Sequence, residues 1–229
     1  MPARICIVGL TKHWNIIMTS LFSTTYLGPI QYYSKLVSAD KAILERFEHY
    51  PKQTYRNRCV IYAANGPQTL TVPVSKGSEL KIYTKDIRID VSMNWAKLHF
   101  KAIESAYRCS PFYQYYIDDF IPFYEKKYEF LYDFNLEILY KILEIVGLQF
   151  KIDESEAYVK ILPIDYQDIR DTIHPKNKMY VPDHTFQPPV YRQVFEPKHG
   201  FIANLSIIDL LFNTGNETLT LLKQSHLIP

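Results

Sequence analysis

The stretch "KQTYRNRCVIYAANGPQTLTVPV" (residues 52–74) holds five side chains of the kind that bind anions: Lys52, Tyr55, Arg56, Asn57 and Arg58. A guanidinium offers a planar fork of donors that fits phosphate or carboxylate. In an extended segment alternate side chains share a face, so Arg56 and Arg58 are expected to point the same way. No acid stands among the cations, and two readings follow. One is a pocket for a negatively charged guest; the other is a solvated edge strand whose positive charge discourages pairing with another chain.

Two other constellations have chemical potential. His99 lies one turn from Trp95 and one from Ile103. Its imidazole titrates near neutrality and suits a general base, or else it is a packed residue with a single hydrogen bond. Ser206, Asp209 and Asn213 fall at i, i+3 and i+7, on one face of an otherwise apolar segment. Such a stripe must meet water, a hydrogen-bonding partner or a ligand. With no histidine on that face, Ser206 and Asp209 do not form a nucleophile pair.

Other motifs are missing. The chain has no GxGxxG, GxxxxGK[ST], GxSxG or HExxH. Its three cysteines, Cys6, Cys59 and Cys109, lack zinc-ligand spacing and read as free thiols, the usage of a reducing cytosol. His174, His184 and His199 are spaced too irregularly for a metal site, so no metal is expected and no cofactor is named. Asp165, Asp168 and Asp171 read as the solvated start of a helix.

The elements that must position these residues divide the chain into a strand-rich first half and a helical middle. A short strand from Leu21, a Gly28-Pro29 loop, a helix over 30–38 and a strand over 42–48 come first. "RCVIYAA" and "QTLTVPV" then flank Asn65-Gly66, a strong hairpin signal. "KDIRIDV" alternates as a half-buried strand should. In "NWAKLHFKAIESAYR", Trp95, Leu98, Ala102, Ile103 and Ala106 share one helical face. Ser110-Pro111 has the pattern of a new helix start, Pro122 is expected to interrupt that helix, and a long helix follows over 124–146, ending at Gly147. Residues 163–200, with six prolines, read as an ordered loop held over the body by Tyr180, Phe186, Tyr191, Phe195 and Phe201. C-terminal helices close the chain, broken at Gly215, with Asn216 capping the last. This is a mixed α/β fold.

Composition bounds the rest. The 229 residues are 47% hydrophobic, enough for one full core over residues 18–229. The opening 17 residues read as a poorly ordered extension, with Met18 as a candidate start. A net charge of +2 is too small to suggest nucleic-acid binding. No apolar run approaches the ~20 residues of a membrane span. Tyrosine is abundant, 19 residues against 2 Trp, which suits wet clefts and interfaces.

Four stretches together resemble the WbqC-like protein family, known from bacterial O-antigen and surface-polysaccharide gene clusters. They are "TTYLGPIQYYSKL", "YRNRCVIYAANGPQTLTVPV", "NWAKLHFKAIESAYRCSPFY" and "NLSIIDLLFNTG". The first departs from a common family version, in which Gln-Pro and Pro-Trp bracket the aromatic residues. The resemblance implies a transferase that places a glycyl or other acyl group on an amino sugar, nucleotide-linked or lipid-linked. On that expectation His99 is the first choice of base and Asp209 the second. Lys52, Tyr55, Arg56, Asn57 and Arg58 meet the substrate, with Gln31, Tyr107, Asn204, Ser206 and Asn213 from the other motifs. The alternative is a non-catalytic sugar- or nucleotide-binding protein, or a structural partner, in a biosynthetic complex.

Overall fold

The computed structural model describes residues 17–75, 81–175 and 183–227. The expected extension lies outside them except for Ile17, and so does Tyr180. The fold is mixed α/β, built on a parallel sheet of order β7-β2-β1-β8. β1 (Thr19–Ser23) is buried at every residue and pairs with β2 (Lys41–Glu45) and β8 (Tyr166–Asp168) on either side. β7 (Ile152–Glu154) extends the sheet beyond β2. α1 (Ile30–Val37) links β1 to β2. Continuous burial of β1 matches the rule that parallel strands are covered on both faces.

The hairpin forms, with its loop one residue before the expected Asn65-Gly66. β3 (Arg58–Ala63) and β4 (Gly66–Thr71) pair with Ala63 opposite Gly66, leaving Ala64 and Asn65 as the two-residue loop. Gly66 takes φ +102°, a conformation costly for any side chain. β3 packs on α2 (Trp95–Tyr107), followed by α3 (Tyr113–Glu125) and α4 (Leu131–Ile145). At the centre lies α6 (Ile207–Thr214), touching α1, α3, α7 (Thr218–Gln224) and β3. Ile207, Ile208, Leu210, Leu211 and Phe212 are fully buried, so this helix is covered nearly all round.

Several expected elements come out differently, each for a local reason. "KDIRIDV" forms a 3₁₀ turn over Thr84–Asp86, because Thr84 donates both its N–H and its hydroxyl to the Glu48 carbonyl. Only β6 (Arg88–Ile89) is strand, paired with β5 (Val74–Ser75). Pro122 does not interrupt α3. The face carrying Ile117, Phe120 and Phe123 is buried on both sides of it, and the helix runs on to Glu125. α4 therefore begins at Leu131, not 124. The residue before α3 is Phe112, not Ser110, and Glu217, not Asn216, precedes α7. Leu98 is 62% exposed, off the buried face of α2. "VYRQVF" is not a strand, and "DYQDIRD" supplies β8 rather than a helix start; α5 (Glu196–His199) is the only helix the Pro-rich stretch contributes among the described residues.

Gly215 ends α6 at φ +55°, where a Cβ would lie 2.5 Å from the Phe112 ring. Gly66 also has positive φ, but a Cβ there meets nothing within 4 Å. Gly215→Ala should therefore cost about 3 kcal/mol, from backbone strain plus overpacking, and Gly66→Ala about 1–2 kcal/mol from strain alone. Chemical denaturation of the two variants beside the wild type checks the order.

Candidate functional site

Open parallel sheets hold ligands at the carboxyl ends of their strands, where the strand order reverses direction. Here the chain runs outward from β1 to β2 and β7, then returns to place β8 on the other side of β1, so the reversal lies between β1 and β8. Ser23, Thr24 and Thr25 leave β1 at that point, and Ile169 and Arg170 leave β8. Together with Tyr32, Tyr55 and Arg56 they line a narrow cleft of about 10 Å³, room for about one water.

Arg56 forms the wall between this cleft and a larger cavity. It is 4% exposed and sits in a turn before β3 begins at Arg58, so the alternation expected to align the two guanidiniums does not apply. Its Nε and Nη2 donate to the two Glu48 carboxylate oxygens at 2.6 and 2.5 Å. Nη2 also reaches Ser23 Oγ at 2.5 Å, and Asp171 lies 3.5 Å away. Burial alone would depress the guanidinium, but the Glu48 hydrogen bonds and charge, helped by Asp171, raise its pKa. The acid missing from the basic cluster is thus Glu48, four residues before Lys52. Of the three cations, Arg56 is neutralised, and Lys52 and Arg58 make no ion pair among the described residues. Lys52 is exposed; Arg58 is half-buried.

Beyond Arg56 opens a cavity of about 340 Å³, at the lower end of ordinary ligand sites. Phe47, His49, Tyr83 and Tyr158 give it aromatic walls, Glu48 and Arg56 a charged inner side, and Asp171 an exposed carboxylate. The His49 ring stacks on Tyr83 with 5.1 Å between centroids and 7° between planes. Arg170 lies over Tyr158 at 5.0 Å, and its guanidinium pairs with Asp168 at 2.6 Å and Glu45 at 3.4 Å. Aromatic faces and carboxylates suit the stacking and directional hydrogen bonding of a sugar or base.

The other expected site residues lie elsewhere, in three groups. Gln31 and Asn204 bond each other twice, and Gln31 Nε2 donates to Asp183 at 2.8 Å. Lys35 also donates to Asp183, whose carboxyl is held near pH 2 by these bonds against the opposing effect of burial. Asp209, 1% exposed, accepts from Tyr191 at 2.6 Å and from Gln193 at 3.1 Å, which ties the Pro-rich stretch to α6. Burial pushes its carboxyl up to about 6, against those hydrogen bonds. Ser206 donates to the Leu27 carbonyl and Asn213 to the Asp209 carbonyl, and Tyr107 accepts from Tyr62 N. The polar stripe therefore meets its own fold, apart from Asn213, which also lines a surface cavity with Cys109 and Arg192.

His99 forms the third group. It is buried, its Nδ1 shares a hydrogen bond with the Tyr26 hydroxyl at 3.0 Å, and Tyr26 bonds Tyr124 at 2.9 Å. Burial lowers its pKa to about 4, with a backbone hydrogen bond at Thr71 opposing, so the ring is neutral at pH 7 and weakly basic. Asn57 donates to the Val72 carbonyl and fixes the strand that follows the hairpin. Tyr55 is half-buried, its hydroxyl pushed up to about 12 by burial. Among the described residues no group of three His, Cys, Asp or Glu could hold a metal ion, and no helix is long and apolar enough to cross a membrane.

A model of the WbqC-like protein family matches residues 24–174, which include every wall of the cavity. The chain belongs to that family. The uncharacterized protein Rv1507c of Mycobacterium tuberculosis is 26% identical over 218 residues, covering 86% of this chain and 94% of its own. No solved structure matches the chain. The WbqC-like region holds Arg56 and the aromatic walls, whereas Asp209 and the stretch that covers it fall beyond the match.

Sequence reading missed Glu48, His49, Tyr83, Tyr158, Arg170 and Asp171. A signal existed for the acids and Arg170: they follow β2 and β8, and a strand–helix–strand unit at the N-terminus implies a parallel sheet whose carboxyl ends gather such loops. The buried charges make two predictions. Glu48→Ala strands a buried guanidinium and should cost about 3–5 kcal/mol, while Glu48→Leu combined with Arg56→Met should cost less than that single change; urea titration reads both. Asp209 has a folded pKa near 6 against ~3.9 unfolded, so the folded state holds the proton more tightly. Stability should fall as pH rises from about 4 to 6, by on the order of 2 kcal/mol, and Asp209→Asn should flatten that slope in a melting series.

Proposed function

We propose that the protein is a transferase of surface-polysaccharide assembly that binds a nucleotide-linked or lipid-linked amino sugar in the cavity beside Arg56 and transfers a glycyl or other acyl group to its amine. The carrying observation is the aromatic and acidic lining at the carboxyl ends of the strands. Stacking on Tyr83 or Tyr158 favours a planar base or the apolar face of a sugar. The exposed carboxylate of Asp171 favours an ammonium group, and Lys52, next to Pro51 of the wall, is an unpaired cation for a phosphate.

In the transfer, the amine nitrogen attacks the acyl carbonyl carbon, the carbonyl carbon's bond to its leaving group breaks, and the amine gives up a proton. His49 and Asp171 are the titratable groups on the cavity open to accept that proton, since Glu48 is occupied by Arg56. His99 and Asp209, the bases expected from residue type, do not line it. The competing reading is a binding protein without chemistry, and the pairing of Arg56 with Glu48 favours it, because that guanidinium is committed to the fold and not left for a transition state.

Calorimetric titration with UDP-, GDP-, dTDP- and CMP-sugars tests the site. One nucleotide class should bind, and Tyr83→Ala or Tyr158→Ala should weaken it about tenfold, the loss expected of one stacking platform. Binding to none of them removes the nucleotide-linked form of the proposal, and binding indifferent to both variants removes this cavity as the site. Tight binding with no acyl transfer from any activated glycine donor would leave the binding-protein reading.

A further inference from the structure

We infer that a second cavity, between the β6–α2 turn and the α3–α4 turn, is a binding site for an uncharged sugar ring. Its volume is about 360 Å³, close to that of the cavity beside Arg56, with which it shares no residue. Trp95, the first residue of α2, lines it together with Tyr124 and Tyr128. The Trp95 ring is 9% exposed and packs edge to face on His99 and Phe134, at 5.2 and 5.5 Å between centroids. An indole N–H this buried ordinarily has a hydrogen-bond partner. Trp95 Nε1 has none among the described residues, yet it is not one of the polar atoms sealed from solvent. The N–H therefore opens on the cavity that Trp95 lines, a donor with no acceptor of the protein's own.

Asn94 adds a second open group on the same wall. Asparagine just before a helix ordinarily accepts from an amide of the first turn. Asn94 makes no such bond, and its side chain is exposed. The charges then select the class of guest. Lys126 is paired with Glu137 at 2.7 Å and lies over the Tyr128 ring at 4.5 Å. Lys127 and Glu125 also line the cavity and make no ion pair among the described residues. Asp90, beside the wall, accepts from Ser92 N. One open cation faces one open acid, so the walls have no surplus of positive charge for an anion. An aromatic edge, an N–H donor, an amide that both donates and accepts, an ammonium and a carboxylate together match the C–H faces and hydroxyls of a sugar. The inference does not rest on the transfer proposed for the other cavity.

Fluorescence and saturation-transfer NMR on the full-length protein test the inference. Trp14 and Trp95 are the two tryptophans, so Trp14→Phe leaves Trp95 as the sole indole reporter. That variant is titrated with the methyl glycosides of glucose, galactose, mannose and N-acetylglucosamine. At least one should change the emission saturably, with a Kd on the order of 1 mM, the scale of a single small ring. Asn94→Ala in the same background should weaken binding about fivefold, the loss of one hydrogen bond, and so should Trp95→Phe read by NMR. Asn94 is exposed, so its replacement leaves the fold intact. Tyr83→Ala, in the cavity beside Arg56, should change nothing, which separates the two sites. No saturable change by either readout overturns the inference, as does binding that both Asn94→Ala and Trp95→Phe retain. A stronger response to glucose 6-phosphate than to the glucoside, or to glycine than to any glycoside, also overturns it by assigning the cavity to a charged ligand.

Discussion

The bidentate pair between Glu48 and Arg56 is the interaction on which the arrangement of the sheet edge depends. Glu48 lies just beyond β2, and Arg56 leads into the hairpin. Arg56 also donates to Ser23 at the end of β1, its backbone carbonyl accepts from Asn135 of α4, and Glu48 receives Thr84 through its own carbonyl. Five segments remote in sequence thus meet around one buried salt bridge. Replacing such a pair by apolar residues often leaves stability unchanged, so the pair is better understood as setting geometry than as adding stability. Its bonds have directions, and those directions fix where the loops after β1, β2 and β8 can go.

The same reasoning separates two of the buried carboxylates, Glu48 and Asp209. Glu48 has a guanidinium bonded to both of its oxygens. Asp209 has neutral partners, Tyr191, Tyr107 and Gln193, and burial raises its pKa toward 6. A carboxyl in that state is a costly way to anchor a Pro-rich segment, yet a directional one. Tyr191 is buried beside it, and Gln193 also bridges to Ile202 through both amide atoms, so hydrogen bonds help its aromatic side chains to locate the segment.

Much of the architecture was legible because period and punctuation agreed: α1 and the inner face of α4 lie where apolar spacing places them, and the hairpin lies within one residue of its Asn-Gly signal. The failures have a common physical cause. "KDIRIDV" alternates correctly, and Ile87 and Ile89 are indeed buried, but Thr84's bonds to Glu48 coil its first residues; a partner 36 positions away decided the local shape. Leu98 matched the helical spacing of its neighbours and still faces outward, because spacing defines a stripe without defining its width. For the site, residue type found Arg56 and Tyr55 but not their acid. Charge balance counted within a short window cannot see a carboxylate that folds back from beyond it.

The abundance of tyrosine acquires a physical meaning from these positions. Tyr26, Tyr33, Tyr62, Tyr107 and Tyr132 are among the largest fully buried side chains, and several carry hydroxyls bonded to backbone or to other rings. A core built this way gains area from the ring and directionality from the hydroxyl, which suits a fold whose regular sheet is only four short strands. Tyr83 and Tyr158 extend the same chemistry to the cavity wall, where each ring is already oriented by a neighbour, His49 in one case and Arg170 in the other. A ring held before the ligand arrives loses little freedom when it binds, so the aromatic walls are the part of this site best prepared to recognise a flat or ring-shaped guest.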